Sequence, residues 1–288
     1  MTAEHLTAER FTGPCTFHGE GPFWDDVDGR LLVVDMLDGA VVAVDDAGAA
    51  ARHDVGTIAA VIRQRAAGGF VVAVEHAFLL LDRDFQPVEA PVPVLDDPGI
   101  RLNEGGCDPQ GRFYCGTMAY DVTPGAGTLY RLDADRGVHE VLTGVTISNG
   151  LQWSADGATA YYDDTPTQRV QAFDFDAAAG LLVRPRTFVT IAPDDGAPDG
   201  MAIDTDGGIW VALWGGHGVR RYDASGALTT IVDVPIRQVS ACAFGGPDRS
   251  TLYVTTSRQG PDAVEDDAGS IYAVETGFTG AVPHAYAG

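Results

Sequence analysis

Residues Ser148 to Thr165 read SNGLQWSADGATAYYDDT and contain the pattern from which the fold can be predicted. An apolar run near its start and an aromatic run near its end are separated by SADG, a polar turn that closes on Gly157. Two such runs around a glycine-containing turn are typical of a β-hairpin. Asn149 stands directly before the first run. Taken alone, Asn149 fits turn chemistry and a functional role equally well, because asparagine tolerates left-handed backbone.

Five other segments repeat this pattern of an apolar run, a polar turn with glycine and a second run rich in aromatic and β-branched residues. The six copies span residues 21–36, 59–76, 104–118, 150–165, 200–214 and 240–257. They recur about every 40 to 50 residues, with strand-like pieces between them such as AVVAVDD, TLYRLDAD, RVQAFDFD and VRRYDASG. Four-stranded units of this length are typical of propeller blades. The sequence therefore predicts an all-β fold, a six-bladed β-propeller, rather than a β-sandwich or a β-helix.

The composition agrees with an all-β globular chain. Of the 288 residues 45% are hydrophobic, and 36 glycines and 16 prolines leave hardly any helical periodicity. This pattern favours short strands joined by many turns. The length allows one large β domain or two smaller ones. Because no linker divides the chain, we expect a single β-propeller domain over residues 1–288.

The chain is strongly acidic, with 41 acidic against 18 basic residues and a formal net charge of −23. Most of such a surface repels polyanions, so we expect neither nucleic acid nor an anionic membrane as a partner. No segment approaches the roughly 18 uninterrupted apolar residues that a membrane helix requires, and the start has no signal-peptide pattern. The four cysteines are scattered with no C-x-x-C pair. They predict buried thiols in a reducing compartment, and we expect a cytoplasmic location.

One position, eight residues before the turn glycine, carries a side-chain oxygen in most copies. It is Asn103 before Gly111, Asn149 before Gly157 and Asp199 before Gly207, and matching Trp24 to Trp153 adds Glu20, while the second and sixth copies place Ala60 and Ser240 there. Equivalent positions of inner strands face one another around the channel of a propeller, so these side chains should converge. The alternative is that each of them only caps its own strand.

Converging carboxylates predict a cation. Two carboxylates held close together raise each other's pKa unless a positive charge neutralises them. Ligands that are all oxygen favour a hard divalent ion such as Ca²⁺, Mg²⁺ or Mn²⁺, although zinc can accept such a site. We therefore predict one divalent metal ion in the channel, with Ca²⁺ favoured.

Several segments resemble a known family. GEGPFWD, RLNEGGCDPQGRFYCGTM, SNGLQWSADGATAYY, PDGMAIDTDGGIWVALWGG and the terminal HAYAG are similar to the family that includes senescence marker protein (regucalcin), gluconolactonase and luciferin-regenerating enzyme. The likeness runs from about Glu20 to Gly288. It implies a six-bladed propeller, and the family's characterised sugar-acid members are metal-dependent lactonases.

The resemblance also implies residue roles. The metal ligands fall on Glu20, Asn149 and Asp199, which are three of the four oxygen-bearing positions. The substrate contacts fall on Arg101, Asn103 and Asp121. In GTMAYD the chain carries Asp121 where the animal members have glutamate, so that contact would be shorter. His18, His217 and Trp214 stand near the expected channel mouth without a partner at ligand spacing, and we assign them no role.

These residues predict a metal-dependent hydrolase that opens a sugar-acid lactone. The metal would polarise the ester carbonyl, Arg101 would donate hydrogen bonds, and Asp199 could also act as the general base. The expected partner is a small-molecule sugar lactone, and the protein is expected to be a monomer or a weak oligomer. Alternatives are hydrolysis of another cyclic or phosphorus ester, or a calcium-binding regulatory propeller with little turnover.

Overall fold

The computed structural model describes residues 3–260 and 264–288, and the described chain is built almost entirely of β-strands. The strands are β1 (Glu4–Thr7), β2 (Glu9–Arg10), β3 (Gly19–Asp25), β4 (Arg30–Asp35), β5 (Ala40–Val44), β6 (Ala50–Asp54), β7 (Ala59–Gln64), β8 (Phe70–Val74), β9 (Ala77–Leu81), β10 (Val92–Pro93), β11 (Ile100–Cys107), β12 (Phe113–Ala119), β13 (Gly127–Leu132), β14 (Val138–Val145), β15 (Ser148–Trp153), β16 (Thr159–Asp164), β17 (Arg169–Asp176), β18 (Leu181–Thr190), β19 (Ala197–Ile203), β20 (Ile209–Trp214), β21 (Gly218–Tyr222), β22 (Leu228–Asp233), β23 (Val239–Gly245), β24 (Thr251–Thr256) and β25 (Tyr272–Glu275). The helical segments among these residues are the short 3₁₀ turns Met36–Asp38, Thr165–Thr167 and Pro193–Asp195.

The strands form six sheets, which we call blades 1 to 6. Blades 1 to 5 begin with β3, β7, β11, β15 and β19, and each continues with the next three strands of the chain. Blade 6 contains β23, β24 and β25. Within every blade the successive strands are antiparallel, and the first strand packs against the first strands of its neighbours. The predicted all-β, six-bladed propeller is confirmed.

The amino-terminal segment closes the ring. Strand β2 pairs antiparallel with β25 and supplies the fourth strand of blade 6, with Glu9 opposite Ala273. Strand β1 adds a fifth, parallel strand to the outer edge of blade 5, with Glu4 opposite Thr230. The amino-terminal segment is thus hydrogen-bonded to the outer strands of blades 5 and 6. It covers strand edges that would otherwise be exposed.

The core consists of apolar layers between neighbouring blades. Six buried clusters lie within the described residues, one at each junction around the ring. At the junction of blades 5 and 6, the rings of Trp210 and Phe244 meet edge to face at 5.4 Å. At the junction of blades 3 and 4, the rings of Tyr114 and Trp153 lie 5.2 Å apart. Burying each such side chain contributes roughly 1.5 to 3 kcal/mol, so these layers hold the blades around the channel.

Three of the four cysteines agree with the expectation of buried thiols. All four cysteines are free; Cys15 is half-buried, and Cys107, Cys115 and Cys242 are buried. Burial raises the pKa of each of these thiols, so they stay protonated. In the part of the chain that the structure describes, no helix has the length and apolar character needed to cross a membrane.

Candidate functional site

A break in strand register recurs at the same level of all six innermost strands. The breaks lie between Glu20 and Phe23, Ala59 and Val61, Leu102 and Gly105, Asn149 and Leu151, Pro198 and Met201, and Val239 and Ala241. A bulge of this kind turns a side chain out of the regular alternation and is common beside active sites. Glu20, Asn103, Asn149 and Asp199 all lie at or inside a break. The breaks explain why one spacing in the sequence selects these four residues.

Two glycines let neighbouring inner strands approach closely at this level. A Cβ atom on Gly200, directly after Asp199, would lie 2.5 Å from the Ala241 Cβ and 2.9 Å from the Ala241 Cα. A Cβ atom on Gly150, directly after Asn149, would lie 2.9 Å from the Asp199 carbonyl oxygen of the next blade and 2.5 Å from Asp163 Oδ2 of its own blade. No larger residue fits such contacts without a shift of the surroundings. Glycine after the site residue therefore permits the side chains of adjacent blades to meet.

One half of the site is a chain of hydrogen bonds. Arg101 Nη1 donates to Asn103 Oδ1 at 2.6 Å, and Asn103 Nδ2 donates to Asn149 Oδ1 at 3.3 Å and to the Ser148 carbonyl at 2.8 Å. Asn149 Nδ2 in turn donates to Thr165 Oγ1 at 2.8 Å. Because the Asn149 nitrogen is engaged by Thr165, its amide oxygen is the atom turned toward Asn103.

The other half of the site is a group of buried carboxylates formed by Glu20, Glu104, Asp163 and Asp199. Each is at most 5% exposed. Burial raises the pKa of all four, and repulsion adds to it: Asp199 acts on Glu20, and Asp163 acts on Asp199. Arg63 lies 3.2 Å from Glu104 and partly offsets the charge there. Arg63 at Glu104, and the charge of Arg101 at Glu20 and Asp199, offset only part of the burial and repulsion, so ionisation of all four groups requires a further cation.

Several oxygens of this group lack a hydrogen-bond partner. Among the described residues they are Asp199 Oδ1, Glu104 Oε2 and both carboxylate oxygens of Asp163. Burying an unpaired charge is costly unless a cation or a donor compensates it. The donor set, which is carboxylate and amide oxygen, therefore fits a hard divalent ion.

A complete metal site is not formed by acids, histidines and cysteines alone. Within residues 3–260 and 264–288, no three such side chains stand in an arrangement that could hold an ion. The expected ligand set of Glu20, Asn149 and Asp199 contains only two carboxylates and needs the amide as its third member. The central metal ion therefore stays a prediction, which the unpaired oxygens support.

Sequence reasoning missed Glu104 and Asp163. Comparing one position per blade can select only one residue from each inner strand, so Glu104, the neighbour of Asn103, was passed over. Asp163 belongs to the second strand of its blade and stands opposite Asn149 in the register. An acid inside the strand pattern AYYDD was the available signal, because an aspartate in a buried strand requires a partner.

His18 lies nearer to the site than its sequence context indicated. Its Nδ1 is 2.6 Å from Ser257 Oγ, its Nε2 is 3.9 Å from Glu20 Oε1, and its ring meets Trp214 at 5.6 Å. Burial, together with the charge of Arg101, lowers the pKa of His18 to about 3, so the ring is neutral. The spacing of two residues from Glu20 places both side chains on one face of the chain, which was the available signal.

Asp121 stands apart from the other predicted residues. Its carboxylate is exposed and accepts hydrogen bonds from the Thr123 amide at 3.0 Å and from Thr123 Oγ1 at 2.7 Å. Tyr120, its neighbour, covers Arg101 instead, with 5.9 Å between the guanidinium carbon and the ring centre. The structure thus groups Glu20, Arg101, Asn103, Asn149 and Asp199, and leaves Asp121 on the outer rim.

A cavity of about 320 Å³ occupies the other end of the channel. Trp24, Arg63, Glu104, Gln152 and His284 are among its lining residues. Arg63 already donates to the carbonyls of residues 21, 62 and 105, and Gln152 Nε2 donates to the carbonyl of residue 201. Arg63 and Gln152 therefore donate within the protein, whereas Glu104, a member of the carboxylate group, borders this cavity with an unpaired Oε2, so the cavity adjoins that group.

Comparison with known proteins now identifies the family. The model of the SMP-30/Gluconolactonase/LRE-like region matches residues 18–258. The chain belongs to this family. The matched range contains every residue that was predicted for the site, and it begins at His18.

Individual members of the family are similar over nearly their whole length. Regucalcin of Xenopus laevis is 36% identical, with 94% of this chain and 95% of that protein covered. A luciferin-regenerating enzyme structure is 29% identical, with a TM-score of 0.89 and coverage of 97% and 99%. The structure of a calcium-binding protein, regucalcin, from Agrobacterium tumefaciens is 26% identical, with a TM-score of 0.88 and 99% of both chains covered.

Proposed function

We propose that this chain is a metal-dependent lactonase that opens the ring of a sugar-acid lactone, with Ca²⁺ as the favoured ion. One observation carries the proposal. Unpaired carboxylate oxygens lie at the same end of the channel as the hydrogen-bond chain of Arg101, Asn103 and Asn149. Membership of a family whose description includes gluconolactonase supports it.

Glu20, Asn149 and Asp199 would hold the ion. When bound, a divalent cation supplies a Lewis acid for the ester carbonyl and makes a nearby water more acidic. Arg101 is fixed by its bond to Asn103 and stays protonated, so it can donate to the substrate or to the negative charge that develops on the carbonyl oxygen. Asn103 accepts a hydrogen bond from Arg101 and donates one to the Asn149 oxygen, so it fixes the position of the guanidinium relative to that oxygen.

Asp199 is our candidate for the general base. Its pKa is raised by burial and then by the charge of Asp163, and its Oδ1 has no other partner. A raised pKa favours accepting a proton near neutral pH, although an ion held by the same carboxylate would take up part of its charge and weaken it as a base. In the proposed reaction, water attacks the acyl carbon and its proton passes to Asp199. The acyl bond to the ring oxygen then breaks, and the proton returns to that oxygen to give the open hydroxy acid.

A calcium-binding propeller with little turnover is the second candidate. The same carboxylates support it, and one similar structure is described as a calcium-binding protein. An ion binder needs the three ligands only, whereas a lactonase also needs donors for a polyhydroxylated substrate. The rigid position of Arg101 beside the carboxylates favours the enzyme.

A proton-release assay tests the proposal. Protein stripped of metal is mixed with a panel of aldonolactones, and Ca²⁺, Mg²⁺, Mn²⁺ and Zn²⁺ are added back one at a time. We expect at least one lactone to open well above its spontaneous rate with an ion and not with chelator. If no lactone opens faster with any ion, the enzymatic proposal fails and the calcium-binding candidate remains.

A further inference from the structure

A hydrogen-bonded group of side chains stands on the rim directly beside Arg101. The Tyr120 hydroxyl donates to Glu75 Oε1 at 2.7 Å, and Thr57 Oγ1 donates to the other oxygen of Glu75. The Tyr120 ring lies over the Arg101 guanidinium. Thr57 lies in the connection between β6 and β7, Glu75 directly after β8 of blade 2 and Tyr120 directly after β12 of blade 3, so the group bridges two blades next to the proposed substrate donor.

The backbone explains why Tyr120, and not Asp121, faces Arg101. Met118 and Tyr120 are two residues apart and share one face of the chain. Met118 Sδ lies 3.1 Å from Arg101 Nη2, so that face is directed toward the guanidinium. After Ala119 the chain turns, with the amide of Val122 donating to the Ala119 carbonyl at 3.0 Å.

Glu75 is held in place by both its main chain and its side chain. Its carbonyl accepts the amide of Leu102 at 3.0 Å, which ties it to the residue after Arg101. The side chain is half-buried, and hydroxyl donors fix both of its oxygens. The hydrogen bond from Thr57 and then that from Tyr120 lower the pKa of Glu75, so it is an ionised acceptor.

We infer that Glu75 and Tyr120 recognise the ring hydroxyls of the lactone and thereby determine specificity. This inference rests on the lactonase function proposed above. Each carboxylate oxygen of Glu75 keeps a free lone pair beyond its present bond and can accept a substrate hydroxyl. The Tyr120 hydroxyl is also an acceptor, and its ring limits access to one face of Arg101. The ligand class is a polyhydroxylated lactone rather than an apolar one.

Steady-state kinetics with paired substrates test the inference. Metal-loaded protein and the variants Glu75→Gln, Tyr120→Phe and Asp121→Asn are compared on the aldonolactone that the protein opens best. The same set is measured on a lactone of equal ring size without hydroxyls. Thermal melting checks that the variants fold, and Tyr120→Phe keeps the ring over Arg101 while removing only the hydroxyl.

We expect Glu75→Gln to raise KM for the aldonolactone by about 10-fold or more, as for loss of a bond to a charged acceptor. Tyr120→Phe should raise it by a smaller factor, and kcat should change little. The lactone without hydroxyls should be opened equally by all forms, and on the aldonolactone the effect of Glu75→Gln should exceed that of Asp121→Asn.

Two results would overturn the inference while the lactonase proposal stands. One is a rise in KM for Asp121→Asn with no change for Glu75→Gln. The other is an equal loss on both substrates for Glu75→Gln, which would indicate a structural role. A protein that opens no lactone with any ion would remove the proposed function, and the inference with it.

Discussion

Asn149 offers its amide oxygen to the channel because Thr165 engages its amide nitrogen. Residues of this kind could be located from the sequence since they recur at one spacing from a turn glycine. That spacing does not select Glu104, Asp163 or His18, and the weaker signals at Asp163 and His18 do not show where these side chains lie. The rim position of Asp121 depends on how a loop places its side chain in three dimensions. The spacing of eight residues before a turn glycine selects positions on the inner strands, but it does not identify the side chains that neighbouring strands place beside them.

Replacing Asn149 tests its role as a ligand. Asn149→Ala removes the amide oxygen, and we expect a loss of at least about 100-fold in affinity for a divalent ion, more than the 10- to 100-fold typical of supporting residues. The variant should still fold, because the Asn103 nitrogen keeps its hydrogen bond to the Ser148 carbonyl at 2.8 Å. Titration calorimetry measures the affinity, and circular dichroism in chelator reports the fold.

Thr165→Val is the matched control for this residue. It removes the anchor of the Asn149 amide and keeps the oxygen, so its effect on ion affinity should be much smaller. If Asn149→Ala bound the divalent ion with the affinity of the unchanged protein, Asn149 would not be a ligand and its role would be confined to the turn.

At the scale of the strands, the repeated bulge is the device that builds the site. Each blade begins with an inner strand whose register breaks at the same level, and glycine follows the site residue where neighbouring strands touch. The all-β character and the four-stranded repeat could be predicted from the apolar runs and turn glycines. The bulges could not, because an irregular register leaves no periodic signal in a single sequence.

Filling the space at Gly200 tests this arrangement. The new Cβ of Gly200→Ala would press on Ala241, including its backbone, and we expect a loss of about 1 to 3 kcal/mol in the free energy of unfolding. The shift should also displace Asp199 and weaken ion binding. Urea denaturation and calorimetry measure the two effects.

Gly13→Ala serves as the comparison, since a Cβ there meets no atom within 4 Å. It should leave both quantities nearly unchanged. Equal stability and ion affinity for the two variants would contradict the importance of close approach at the bulge.

At the scale of the whole molecule, the ring concentrates negative charge at its centre while the blade junctions are apolar. Composition and repeat length predicted the class and number of blades. The closure of the ring by β1 and β2 could not be predicted, because pairing between the two ends of the chain is non-local and both strands are short and exposed.

The central charge predicts how pH and metal act together. The pKa values of Glu20, Glu104, Asp163 and Asp199 are raised, so without a cation the folded protein binds their protons more tightly than the unfolded chain does. Stability from these groups is therefore present below their ordinary values of about 4 and is lost as pH rises through the raised values.

A bound ion reverses this trend because it favours the ionised form. We expect the increase in melting temperature caused by Ca²⁺, relative to chelator, to be larger at pH 8 than at pH 5. Thermal melts at matched ionic strength measure it. An increase of the same size at both pH values would argue against ion binding at the buried carboxylates.

The position of the ion is the central claim, and anomalous scattering from crystals grown with Mn²⁺ measures it directly. We expect one strong peak roughly 2.0 to 2.6 Å from oxygens of Glu20, Asn149 and Asp199, in protein that opens lactones with the same ion. A peak elsewhere, or none at these three residues in such active protein, would contradict it.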